Sequence, residues 1–344
     1  MKIVFMGTPD FARDSLKAVV EAGHEVALVV TNPDKPKGRG MKLIPSDVKK
    51  YAIEQNLEVV QPVKVRNNPE FVEQLKNINP DVICVVAYGK IIPKEILDIP
   101  RLGCINVHGS LLPKYRGSSP IQWSILNGDK ETGITTMFMD VGMDTGDMIN
   151  KEVVQIGDDE TTGELWDRLS IIGAKLLVKT LKDLENGTYK REKQGDDFTV
   201  APMIKKEMAK IDWENKSAQE IKNLVRGLNP IMGTYSYLNG KKIKIWKVDV
   251  VEADSKDIKN GTVLKSDSKD GLYIKAKDDI INNQEDLSQK PNGTIIKADQ
   301  KEGLFIKTKK GILKVIEIQG ENAKRMNVQD FLRGNQIEVG SIFE

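Results

Sequence analysis

The sequence predicts an α/β fold: a Rossmann-like, mostly parallel sheet with helices on both faces, followed by a smaller all-β barrel. Three observations carry this expectation. Short apolar runs alternate with helical patterns through the first half, a long helical stretch closes that half at Asn186-Gly187, and from residue 207 onward short β patterns dominate. Alternation of strand and helix implies a parallel sheet covered by helices, with ligands at the C-terminal strand ends. At 344 residues the chain exceeds one ordinary core, so two domains are expected.

Taken in order, strands are expected at residues 2–7, 25–31, 57–61, 81–87, 104–108 and 133–139, each bounded by turn residues. After the first strand, Pro9-Asp10 suits a helix start, and Phe11, Leu16, Val19 and Val20 supply its apolar face. The turn between them has no Gly-x-Gly-x-x-Gly, which argues against a dinucleotide cofactor. Gly7-Thr8-Pro9 and His108-Gly109-Ser110 are both strand exits and should lie along one edge of the sheet. Leu165, Leu169, Ile172, Leu176, Leu177 and Leu184 recur at helical spacing over 162–186, completing a first domain of residues 1–187. Residues 188–206 are polar and poor in periodicity apart from Val200-Ala201-Pro202-Met203, and are expected to connect. The second domain, 207–344, contains runs such as Lys242-Ile243-Lys244-Ile245-Trp246-Lys247-Val248, which fit a small antiparallel barrel.

Composition narrows the class. The hydrophobic fraction is 39%, enough for folded cores, and no apolar run approaches the roughly 18 residues that cross a bilayer. A soluble, cytoplasmic protein with no membrane partner is expected. The N-terminal Met1-Lys2-Ile3-Val4-Phe5-Met6-Gly7 turns to glycine too early for a signal peptide and reads as a buried strand. Cys84 and Cys104 lie inside apolar runs, which favours a reducing compartment over a disulfide or a cysteine-based zinc site. From residue 205 onward Lys and Arg number 26 against 21 acids, whereas the preceding part has 26 against 29. The surplus suits a polyanionic partner without identifying one. Lys205-Lys206, Lys241-Lys242, Lys307-Lys309-Lys310 and Lys324-Arg325 could meet phosphates. No aromatic-interleaved motif is visible, so RNA recognition would be led by backbone and shape.

The strongest chemical signal is Cys104-Ile105-Asn106-Val107-His108-Gly109-Ser110-Leu111-Leu112-Pro113, followed by the glycine-punctuated Asp140-Val141-Gly142-Met143-Asp144-Thr145-Gly146-Asp147. Alternate strand residues share a face, so Asn106 and His108 can address one ligand while Ile105 and Val107 point away. His108 is one of two histidines, and His24 sits in an ordinary helix-to-strand turn. An imidazole can take a proton from an amine, an amide can donate to an oxyanion, and a carboxylate can fix the imidazole's tautomer and charge. Together these are the parts of an acyl-transfer site.

These residues resemble those of the methionyl-tRNA formyltransferases, within the wider group of 10-formyltetrahydrofolate-dependent formyltransferases and hydrolases. The resemblance implies that Asn106, His108 and Asp144 are the catalytic set and that Ser110, Leu111, Leu112 and Pro113 bind the folate co-substrate, with no metal. Those three catalytic residues are shared across the wider group. The narrower likeness rests on Met6-Gly7-Thr8-Pro9-Asp10-Phe11-Ala12, on the loop from Asn32 to Leu43, and on the C-terminal region. It implies a second domain of the oligonucleotide-binding barrel type and a methionyl initiator tRNA partner. In that family the loop reaches the tRNA acceptor end. Arg39 matches the arginine used there, with Lys35, Lys37 and Lys42 as phosphate neighbours by proximity. A monomer supporting translation initiation is expected, against two rivals: formyl transfer to an amino-sugar nucleotide, and a non-catalytic RNA-binding module.

One departure from the family pattern stands in the sequence. The run 260–275, Asn-Gly-Thr-Val-Leu-Lys through Gly271-Leu272-Tyr273-Ile274-Lys275, recurs at 292–307, ending Gly303-Leu304-Phe305-Ile306-Lys307. One fixed offset of 32 residues, with Asn-Gly opening each copy, predicts a duplicated hairpin. Which copy occupies the family's usual hairpin position is left open by the sequence.

Overall fold

The computed structural model describes residues 1–37, 42–251, 263–267, 271–275, 280–281, 290–309, 312–335, 337–338 and 341–344. The chain divides into two compact units. One comprises residues 1–124, 129–158 and 164–203; the other comprises 125–128, 159–163 and 204–344.

In the first unit the elements run β1 (Lys2–Gly7), α1 (Asp10–Glu21), β2 (Glu25–Val30), β3 (Lys35–Lys37), β4 (Lys42–Ile44), α2 (Asp47–Glu54), β5 (Val59–Val60), α3 (Pro69–Ile78) and β6 (Val82–Val86). There follow α4 (Lys94–Leu97), β7 (Cys104–His108), α5 (Pro120–Leu126), β8 (Glu131–Phe138), β9 (Met148–Gln155) and α6 (Thr162–Glu185). The sheet order is β5-β2-β1-β6-β7-β8-β9, parallel from β5 to β7 and antiparallel across β7-β8 and β8-β9. Strands buried on both faces read as continuous apolar runs, as β1 and β6 do. Val4, Met6, Leu28, Val30, Ile83 and Val85 pack with Phe71 and Leu75 of α3 and Ile96 of α4 on one face. On the other, Gly173 of α6 stands so close to Val107 that a Cβ there would lie 3.1 Å from its Cγ1. Helices thus cover both faces. Three strands are absent from the expectation: the three-residue β3 and β4, and β9, an edge strand with half its residues exposed, whose sequence carries little apolar alternation.

The second unit contains α7 (Ala218–Gly227), whose start is fixed by a capping box between Ser217 and Glu220. It continues with β10 (Thr234–Leu238), β11 (Lys241–Val251), β12 (Val263–Asp267), β13 (Gly271–Lys275) and β14 (Ile280–Ile281). Then come β15 (Ile295–Asp299), β16 (Gly303–Lys307), β17 (Ile312–Gln319), β18 (Met326–Asn327) and α8 (Val328–Gly334). The main sheet runs β10-β11-β17-β16-β15, all antiparallel, around Ile245, Ile295, Leu304, Ile306, Leu313, Val315 and Ile318. The C-terminal residues close it. Glu344 exchanges backbone hydrogen bonds with Tyr237 of β10 (2.9 and 3.0 Å). On the opposite edge Phe343 N donates to Gly293 O at 2.9 Å and Ile295 N to Ser341 O at 2.7 Å. One short segment therefore pairs both edges, which turns an open sheet into a barrel.

The duplicated runs form matching hairpins. In β12-β13 the pairs are Val263↔Ile274, Lys265↔Tyr273, Ser266↔Leu272 and Asp267↔Gly271. In β15-β16 they are Ile295↔Ile306, Lys297↔Phe305, Ala298↔Leu304 and Asp299↔Gly303, with the register shift at the same place. The copies differ in where they pair. β15-β16 belongs to the main sheet, while β12-β13 forms a separate three-stranded sheet with β14.

Candidate active site

Strand β7 presents the polar pair. It lies between β6 and β8 with Asn106 opposite Met137 and His108 opposite Thr135, so strand alternation sends both polar side chains to one face. His108 is 5% exposed and its Nε2 lies 2.9 Å from the carbonyl oxygen of Tyr115. A carbonyl only accepts, so Nε2 carries the proton and donates it. In the neutral ring Nδ1 then holds the lone pair, and it faces Asp144 Oδ2 at 3.7 Å. The tautomer is set by a backbone carbonyl seven residues away, and the carboxylate is left to meet the charge that Nδ1 would acquire.

Asp144 sits on the loop after β8 in a left-handed backbone conformation, φ 52°. Such a conformation costs a non-glycine residue on the order of 1–2 kcal/mol and persists where surrounding bonds hold it. Three do so here. Gly117 N–H donates to Oδ2 at 2.8 Å, and the Gln194 amide donates to the carbonyls of Asp144 (2.7 Å) and Gly146 (2.8 Å). Oδ1 faces Asn106 Nδ2 at 3.5 Å. The structure thus brings Asn106, His108 and Asp144 together. Gly146 permits the tight return of the loop: a Cβ there would fall 1.9 Å from Phe138 O.

Within the 188–206 segment expected to connect, residues 189–201 are bonded along the site. Glu192 exchanges backbone hydrogen bonds with Met148, and Arg191 Nε donates to Asp147 at 2.8 Å while stacking over Phe138. Thr199 O accepts from Arg116 N (2.8 Å), Thr199 Oγ1 accepts from Tyr115 N (2.8 Å), and Ala201 N donates to Arg116 O (2.7 Å). This segment ties the 115–117 loop to the 140–147 loop. Tyr115, Gly117 and Gln194 are the site members that sequence reasoning missed. A glycine beside a short polar run, Arg116-Gly117 and Gln194-Gly195, was the only available signal.

The segment Ser110 to Pro113 divides. Ser110 and Leu112 are buried: Ser110 Oγ donates to Lys114 O at 2.6 Å, and Leu112 packs with Met137 and Met148. Thr135 Oγ1 donates to Ser110 O and accepts from Leu112 N, which occupies those backbone groups. Leu111 and Pro113 are half-buried and can face a ligand. Leu112-Pro113 is a cis peptide.

At the neighbouring strand exits, Asn32 Nδ2 donates to Thr8 Oγ1 (2.9 Å) and Tyr88 O (2.7 Å), stitching β1, β2 and β6. The cationic loop leaves from this seam as the β3-β4 hairpin, with Lys35 exposed and Lys37 paired in register with Lys42. Arg39 lies outside the described residues. The hairpin's base is clamped: Lys49 Nζ reaches Asp34 Oδ2 and Gln61 Oε1 at 2.7 Å each, and Gln61 Nε2 reaches Asp34 Oδ1 at 2.8 Å. Hydrogen bonds from Lys49 and Gln61 hold the Asp34 carboxyl below its ordinary range.

The second unit carries a face that its sequence did not reveal. Tyr235 and Tyr237 alternate with buried Thr234, Ser236 and Leu238 on β10, so both rings share the outer side. Lys242 Nζ stands 3.6 Å over Tyr235, Lys210 5.7 Å over Tyr237, and Lys244 and Arg325 each 5.1 Å over Trp246. Aromatic and cationic side chains interleave here because antiparallel pairing brings Tyr235 opposite Lys244 and Tyr237 opposite Lys242. Spacing along one strand does not show it. Among the described residues no group of three or more His, Cys, Asp or Glu could hold a metal ion, and no helix is long and apolar enough to cross a membrane.

Residues 1–181 match the Formyl transferase family model, and residues 203–285 and 281–336 match that of the Formyl transferase C-terminal domain. The chain is 47% identical over 342 residues to the methionyl-tRNA formyltransferase of Ruminiclostridium cellulolyticum, covering 99% of this chain and 98% of that one. It is 46% identical to that of Caldanaerobacter subterraneus subsp. tengcongensis, covering all of both. Among solved structures it resembles an N-formyltransferase from Helicobacter canadensis in complex with folinic acid and dTDP-3-aminofucose. That likeness has a TM-score of 0.60 and 19% identity, over 93% of this chain and 100% of that one. HypX from Aquifex aeolicus in complex with tetrahydrofolic acid gives 0.55 and 15%; the chain covers 47% of that protein with 96% of its own length.

Proposed function

The chain belongs to the methionyl-tRNA formyltransferase family, and we propose that it transfers a formyl group from 10-formyltetrahydrofolate to the α-amino group of methionyl initiator tRNA. The donor is a folate-derived formyl carrier, in keeping with the family and with the folates bound by its structural neighbours. The observation that carries the reading is the meeting of Asn106, His108 and Asp144 around an Nδ1 whose partner nitrogen is committed to Tyr115 O.

In this reading the methionyl amine attacks the formyl carbon, forming the C–N bond as the carbonyl electrons move to oxygen. Asn106 Nδ2–H donates to that oxyanion. His108 Nδ1 takes the proton from the attacking nitrogen, and Asp144 stabilises the resulting imidazolium. The proton passes to N10 as the C–N10 bond breaks, leaving formylmethionyl-tRNA and tetrahydrofolate. Leu111 and Pro113 contribute apolar contact to the folate, with Ser110 and Leu112 supporting them from beneath. Arg39, Lys35, Lys37 and Lys42 contact the acceptor end of the tRNA. The cation-aromatic face of Tyr235, Tyr237, Lys242 and Trp246 adds stacking and charge for RNA, consistent with the basic surplus of the C-terminal part. The enzyme acts as a monomer in the cytoplasm.

The test compares acceptors at equal concentration: charged initiator tRNA and a dTDP-amino sugar, each with 10-formyltetrahydrofolate. Formylation of the tRNA with no detectable sugar product is expected. Preference for the sugar nucleotide, or no transfer to either, would overturn the proposal.

A further inference from the structure

We propose that Gln194 is a positioning residue for formyl transfer, holding Asp144 at its working distance from His108; this rests on the role given to Asp144 above. Every polar atom of the Gln194 amide is engaged. One N–H donates to Asp144 O (2.7 Å), the other to Gly146 O (2.8 Å), and Oε1 accepts from Arg116 Nε at 2.8 Å. The arrangement spans the two loops that build the site. Asp144 and Gly146 belong to the loop after β8; Arg116 lies between Tyr115, whose carbonyl orients His108, and Gly117, whose N–H binds Asp144 Oδ2. Arg116 is itself immobilised, its guanidinium 4.4 Å over the Phe198 ring and its backbone paired with Thr199 and Ala201.

The physical need is specific. Asp144 has φ 52° and the four residues before it, 140–143, are all exposed without apolar anchoring, Val141 at 68% and Met143 at 66%. A loop with so little burial keeps a strained residue in place only through directed hydrogen bonds. Gln194 supplies two of them to the backbone that flanks the carboxylate. Without them the 3.7 Å separation from His108 Nδ1 has no fixed value, and the imidazolium loses its counter-charge at the moment it forms.

The experiment is a double-mutant cycle on the full-length enzyme. Gln194→Met keeps the length and removes the donors; Gln194→Glu keeps the bond to Arg116 and replaces the donors with oxygen facing two carbonyls. Both should lower kcat by about tenfold or more, with KM for formylfolate and for charged tRNA within about twofold of wild type. In the Asp144→Ala background, itself at least about 100-fold down, Gln194→Met should cost little more, because the group it positions is gone. Wild-type kcat in both single variants overturns the proposal, as does an equal loss in the presence and absence of the Asp144 carboxylate. Wild-type turnover in Asp144→Ala would instead remove the underlying role of Asp144, an outcome distinct from the other two.

Discussion

At the residue scale the site depends on where one proton sits. The Tyr115 carbonyl commits His108 Nε2 as a donor, and under the proposed mechanism replacing Asn106, His108 or Asp144 with Ala would remove a different function each time: oxyanion donor, base and counter-charge. Each should depress turnover by roughly 100-fold or more while melting temperature and folate binding stay near wild type; near-normal turnover in a folded variant removes that residue from the mechanism. Gly117→Ala should damage the same step indirectly. At φ 127° a Cβ there would meet Ala201 O at 2.6 Å, so the N–H that binds Asp144 Oδ2 must shift. Reduced kcat with unchanged substrate affinity is the expected readout. The Asn106-His108 pair was legible because a period of two is a property of any strand. The bonds of Tyr115, Gly117 and Gln194 were not, because they run from loop to loop, obey no period, and use backbone groups that every residue carries.

At the element scale the duplicated hairpin offers a clean comparison. Both copies pair in the same register, yet only β15-β16 lies in the barrel sheet. Deleting residues 260–291 or residues 276–307 leaves a single hairpin between Lys259 and Thr308 in either case, differing only in sequence. Because the inward positions Ile295, Leu304 and Ile306 correspond to Val263, Leu272 and Ile274, both deletions should fold and retain formyl transfer within a few-fold. Failure of the 276–307 deletion alone would show that the first copy cannot take the barrel position. The duplication was legible as a repeat and a turn signal; the choice between copies was not, since it depends on pairing with β17 and with the C-terminal residues that close the barrel.

At the scale of the whole molecule, two thiols and a phenol are sealed in the first unit's core. Burial pushes the Cys84 thiol well up, Cys104 to about 12 and Tyr88 to about 12. Above pH about 8.5 the unfolded chain's thiols release protons that the native ones keep, and above about 10 its Tyr88 does the same. Stability is therefore fully present below pH about 8.5 and is lost as pH rises toward 12. Urea midpoints should fall steadily between pH 8 and about 10.5, and Cys84→Ala with Cys104→Ala should shallow that fall; a flat profile in the wild type contradicts the burial argument.

The same scale governs the acceptor. Arg39→Ala should weaken tRNA use and leave formylfolate binding unchanged, lowering the slope of log affinity against log salt by about one unit or somewhat less. Equality with wild type in tRNA affinity and in rate at physiological salt would rule out the loop's role. The most direct test of the enzyme's assignment follows the transferred carbon itself. With 10-formyltetrahydrofolate labelled in the formyl group and excess enzyme, one turnover should move the label onto the methionine of charged initiator tRNA, stoichiometrically, and His108→Ala should slow that transfer by about 100-fold or more. Label remaining on folate or released as formate with the wild-type enzyme, or transfer at an undiminished rate by His108→Ala, would contradict it.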